Sequence, residues 1–167
     1  MKQIHTFFAA HLLVMVAALA IGYALGGHIN WAFVFIGFGA LWYVAYLRGA
    51  QGLETILFFG FALAAATGFW LQLAPIAMLV ALVCALGAWD LDHFFQRLRL
   101  VQRVEMTSGL GKSHLRRLGL IELLGFLAGL AGLTSNLHMP FWAELVLVIL
   151  AVIGISRLVI VVKNSLE

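Results

Sequence analysis

His11, Glu122 and Arg157 each stand inside a long apolar run. An ionisable side chain in such surroundings is costly unless it has a partner, so each needs a reason. His11 lies six residues past His5, Glu122 five past Arg117, and Arg157 six before Lys163. At 1.5 Å per helical residue, these offsets place all three ~7–9 Å inward of the last polar residue. The shared depth predicts one buried polar cluster of His11, Glu122 and Arg157. An ion pair between Glu122 and Arg157 is expected at its centre, because their helices are consecutive. Such a pair fixes helix register, or forms part of a proton or substrate path.

A second group is Trp89-Asp90-Leu91-Asp92-His93. Asp90 and His93 share a helix face at i, i+3, and Arg97 follows one turn later. Joined by His114 or Glu105, they have the carboxylate and imidazole donors that suit Zn, Fe or Mn. Asp90, Asp92, His93 and His114 are therefore the weak catalytic candidates. The spacing matches no known ligand signature: His-Glu-x-x-His, paired Cys-x-x-Cys and Glu-x-x-His are all missing. The expectation is no metal site, with an interfacial hydrogen-bond network instead. His11 and His114 could ligate a haem axially, but nothing else supports it, so no cofactor is expected. Gly109-Leu-Gly-Lys-Ser113 lacks the first glycine of a phosphate loop and follows a helical pattern. The lone Cys84 sits in an apolar run as a small packing residue.

The elements that must position these residues follow from composition. Of 167 residues, 64% are hydrophobic and 10% charged. A soluble domain has about a quarter of its residues charged, so the excess apolar surface must face lipid. Six apolar runs stand out: Phe7–Gly26, Trp31–Leu47, Thr55–Leu73, Pro75–Trp89, Leu118–Leu137 and Phe141–Val162. Each approaches the ~20 residues that cross a bilayer as a helix, the fourth by continuing past Trp89. The first is too long, and lacks the cleavage site, for a signal peptide. The prediction is an all-α bundle of six transmembrane helices forming a single domain over 1–167.

Charge sets the orientation. Lys2, Arg48, Arg97, Arg99, Arg103, Lys112, Arg116, Arg117 and Lys163 all fall on one side, and the links Gly27–Asn30, Gln72–Ala74 and Ser135–Pro140 hold no cation. That places both termini in the cytoplasm. Trp31, Trp70 and Trp142 form an outer aromatic belt, and Trp42, Tyr43, Tyr46 and Trp89 an inner one. Within Asp90–Arg117, Leu91, Phe94, Leu98, Val101 and Val104 recur at helical spacing, with Asp92, Gln96, Arg99 and Arg103 on another face. This predicts an amphipathic basic segment on the cytoplasmic surface, in contact with anionic lipid headgroups. It should break near Thr107–Gly111, with Ser113 capping helix five.

Small residues recur at four-residue spacing at Gly22/Gly26, Gly60/Ala64/Gly68 and Gly125/Gly129. Such rows serve close packing within the bundle or a homo- or hetero-oligomer. Nucleic acid is not an expected partner, because topology already explains the basic residues. The balance favours a non-enzymatic component of a cell inner membrane: a small transporter or channel, or a membrane subunit of a larger assembly. A membrane-embedded enzyme acting on a lipid or quinone at the cytoplasmic face is the alternative. A structural scaffold is the third.

Overall fold

A computed structural model describes residues 2–50, 52–100 and 107–134, with side chains over 4–50, 52–97 and 113–134. The described residues form five α-helices: α1 (Lys2–Leu25), α2 (Ile29–Arg48), α3 (Leu53–Trp70), α4 (Pro75–Leu100) and α5 (Thr107–Thr134). All five are long and apolar enough to cross a membrane, as a multi-pass membrane protein requires. The expected sixth span, Phe141–Val162, lies outside the described residues.

Short turns join the helices. Gly27 closes α1 at φ +83°. Gly49 ends α2 in the left-handed region, and its N–H bonds back to Tyr46 O. A Cβ would strain both positions.

The packing starts from α1. Ile4, Phe8, Leu12, Met15, Leu19 and Tyr23 are buried, and their three- and four-residue steps form one stripe. On α4 the facing stripe is Met78, Ala81, Ala85, Ala88, Leu91 and Phe95. The bulky row on α1 fits the small row on α4, and this is the most extensive helix pair, followed by α1 with α2 and α3 with α4. Leu13, Phe33, Ile56, Leu63 and Leu124 are exposed on the outside. In water such a surface would aggregate, whereas in lipid it is the solvent-facing side.

Three expectations change. First, α5 begins at Thr107, six residues before the expected Ser113 cap, so the helix runs through Gly109 and Gly111. Two glycines cost only ~2 kcal/mol against alanine, and extending a formed helix is cheap. Second, Trp42 and Tyr46 are not interface-belt residues. Both are buried in the core, because their polar atoms find partners there. Third, Asp92 does not face outward with the basic residues: it is 2% exposed, on the stretch of α4 that carries Leu91 and Phe95 inward.

Candidate functional site

The polar side chains of the bundle gather at one end, where α1 starts, α2 ends, α3 starts and α4 passes its midpoint. Asp92 is their innermost member. Trp42 Nε1 donates to Asp92 Oδ2 at 3.0 Å, and Gln96 Nε2 donates to Oδ1 at 3.1 Å. Gln96 is one helical turn beyond Asp92, so α4 supplies one donor and α2 the other. The indole also stacks on Phe61 of α3 at 5.8 Å. A buried carboxylate with both oxygens bonded is far less costly than a bare one.

Glu54 is the next member. It stands in the first turn of α3, 4% exposed. His93 Nδ1 approaches its Oε1 at 3.9 Å, too far for a hydrogen bond. Glu54 Oε2 and His93 Nδ1 are both buried without a hydrogen-bond partner. The His93 ring stacks on Trp89, whose Nε1 donates to Thr55 Oγ1 at 3.3 Å. Nearby, Tyr46 Oη and His5 Nδ1 are 2.8 Å apart, with Phe8 stacked on the Tyr46 ring.

Two further pairs tie α5 to the other helices. His11 Nε2 lies 3.0 Å from Glu122 Oε1 and 3.1 Å from Oε2. His11 Nδ1 is 2.7 Å from Phe7 O, one turn back. A carbonyl only accepts, so Nδ1 carries a proton. The contact from Nε2 to the carboxyl then needs one further proton. On Nε2 it makes an imidazolium facing a carboxylate; on Glu122 it makes a neutral pair. Both arrangements sum to zero charge, which suits membrane depth. The pair fits because residue 87 is glycine. A Cβ there would collide with the Glu122 carboxyl and with His11 Cδ2.

The second pair is His114 Nε2 with Asp90 Oδ2 at 2.7 Å. The His114 ring lies flat on Phe94, with centroids 4.0 Å apart and planes 7° apart. Phe94 is one turn past Asp90, so a single face of α4 offers both the acceptor and the stacking surface.

The structure thus brings His11 and Glu122 together and joins Asp90 to His114. Arg157, expected as the partner of Glu122, lies outside the described residues, as does Glu105. Asp90, Asp92, His93 and His114 do not converge on one point: Asp92 is held by Trp42 and Gln96, His93 by Trp89. Among the described residues no three His, Cys, Asp or Glu side chains form a metal-ligand group. Sequence reasoning missed Glu54, Trp42, Tyr46 and Gly87. Glu54 falls one residue before the expected third run at Thr55, yet it stands in the first turn of α3, where the helix dipole favours an acid.

The small-residue rows divide. Gly22 and Gly68 both close on Met78, Gly26 on Leu73, and Gly129 on Leu79, so these serve the bundle itself. Gly60 and Gly125 open onto empty space. No family model matches the chain, and no curated protein or solved structure matches it either.

Proposed function

We propose that this protein is a non-enzymatic subunit of a larger membrane assembly, with six spans, both termini cytoplasmic and its polar end at the cytoplasmic face. The observation that carries the choice is the filled interior of α1–α4. Beyond the polar end, Met15, Leu19, Phe35, Phe61, Ala65 and Met78 occupy the bundle with almost no exposure. A channel through these helices would need polar groups along its length, and these interior positions between the polar end and Tyr23 are all apolar. The enzyme reading is the weaker one, because its candidate residues have separate partners. The basic residues flanking α4 and α5 support contact with anionic headgroups on the same face.

A proton-coupled transporter is the second reading, and the His11–Glu122 pair favours it, since one proton serves two carriers without changing net charge. Proteoliposomes separate the two. The subunit reading expects no proton flux above protein-free vesicles, and recovery of a stoichiometric second membrane protein when the chain is purified gently from its native membrane. Proton flux abolished by Glu122→Gln in a folded variant would establish the transporter instead. In the same vesicles, cysteines at Gln72 and Lys112 should label from opposite sides.

A further inference from the structure

Glu54 and His93 face each other at the polar end without a bond. His93 Nδ1 stands 3.9 Å from Glu54 Oε1, and both Nδ1 and Glu54 Oε2 are buried with no hydrogen-bond partner. The pair is held in place from both sides. The His93 ring stacks on Trp89 at 5.6 Å, and Trp89 stacks in turn on Phe58 at 5.4 Å. Trp89 Nε1 also donates to Thr55 Oγ1. Thr55 and Phe58 follow Glu54 within about one turn of α3, so the ring is tethered to the helix end that carries the acid.

The neighbours decide what the pair can hold. Asp92, beside His93 on α4, interacts electrostatically with both Glu54 and His93. Asp92 has an N–H donor at each oxygen, from Trp42 and Gln96, whereas Glu54 has none. Arg97 lies one turn beyond His93 and is exposed. At this end α2 brings the neutral Trp42, and α1 brings His5, which is bonded to Tyr46 Oη. Among the described residues no lysine or arginine forms an ion pair with Glu54. Two adjacent buried carboxylates are costly unless one is neutralised. A metal ion needs more donors than one carboxylate and one imidazole, and among the described residues no third ligand completes the set. A proton needs only the two groups present.

The ring also supplies a route. The His93 side chain is 41% exposed although its Nδ1 is buried, so the imidazole spans from the outside to Glu54. We infer that Glu54 and His93 form a binding site for one proton, loaded from the aqueous face through the imidazole. With the ring proton on Nδ1, a proton from water adds at Nε2, and Nδ1 releases its own to Glu54 Oε1 as the side chains close the gap. Unloading is the reverse. One proton enters, and the Glu54 carboxylate becomes a neutral acid. The inference rests on neither functional reading above, since a subunit and a transporter alike can carry such a site.

The test is infrared spectroscopy of the full chain in bilayers, in choline buffer titrated over about pH 5–8, where histidine changes charge. The spectrum should contain the carbonyl stretch of a protonated carboxyl that Glu54→Gln removes. If Glu54→Gln does not fold, Glu54→Asp should shift the same band. In heavy water the band should move as its proton exchanges, and His93→Gln should retain the band but slow that exchange by about a hundredfold. The absence of any band assigned to Glu54 would overturn the inference. So would a band that never exchanges, which would mark a fixed structural proton, or exchange unchanged in His93→Gln. Loss of the band when sodium or potassium replaces choline would make the site one for a metal cation and overturn it equally.

Discussion

The two ends of the bundle are held by different physics. At one end, Trp42–Asp92, His11–Glu122 and His114–Asp90 connect helices through directed bonds of 2.7–3.1 Å. At the other, Gly22 and Gly68 clamp Met78 between α1 and α3, with Tyr23 Oη donating to the backbone carbonyl of Ala64 beside the clamp. Lipid tails are as apolar as leucine, so helices gain little from burying apolar surface against each other. Close steric fit supplies association at the glycine end. The polar end adds what steric fit lacks: in these three pairs a group on one helix meets its partner on another, and sliding or rotating a helix breaks the bond.

The comparison can be broken by perturbing each end in turn. The largest effect is expected at the polar end. Trp42→Ala removes a fully buried indole and strands Asp92 with a single donor, so stability in detergent should fall by ~3–5 kcal/mol. Trp42→Phe retains the ring and isolates the lost hydrogen bond, which should cost less. Equal losses for the two variants would mean that the indole N–H does not hold Asp92. Unfolding followed by circular dichroism reads both.

A smaller loss is expected at the glycine end. Gly68→Leu forces a side chain against Met78 and should cost about 1–3 kcal/mol. Adding Met78→Ala makes room and should recover part of that loss. Failure of the second substitution to help would mean that Met78 is not the clamped residue.

The bundle itself was legible in the sequence, and its polar pairings were legible only in part. Apolar runs are one-dimensional signals, and five of the six expected runs correspond to helices, with ends moved by up to eleven residues. Depth is also one-dimensional, and His11 and Glu122, read at one level, are in contact. Angular position around a bundle is not. Chain neighbours suggested Arg157 for Glu122, and Arg157 lies outside the described residues; nothing in chain order pointed to the contact of Glu122 with His11, 111 residues away. Which helix faces which depended on the fit of Phe8, Met15 and Leu19 against Ala81, Ala85 and Ala88, and a hydrophobicity count does not register that. Trp42 misled for a related reason. An indole two turns from a helix end suits either an interface or a buried acid, and the choice lay with Asp92 on another helix. Glu54 stands just outside the expected run Thr55–Leu73, yet α3 starts at Leu53 and turns it inward.

The central claim is that α5 is joined to α1 by a one-proton contact between His11 and Glu122, set in the notch at Gly87. A double-mutant cycle tests it most directly. His11→Ala, Glu122→Gln and the double variant should each be unfolded in detergent and their free energies compared. The account predicts non-additivity of ~0.6–1.7 kcal/mol, the scale of interhelical hydrogen bonds between membrane helices, with the double variant losing less than the sum. Strict additivity would contradict it and would leave α5 joined to the bundle by the His114–Asp90 pair and apolar contact.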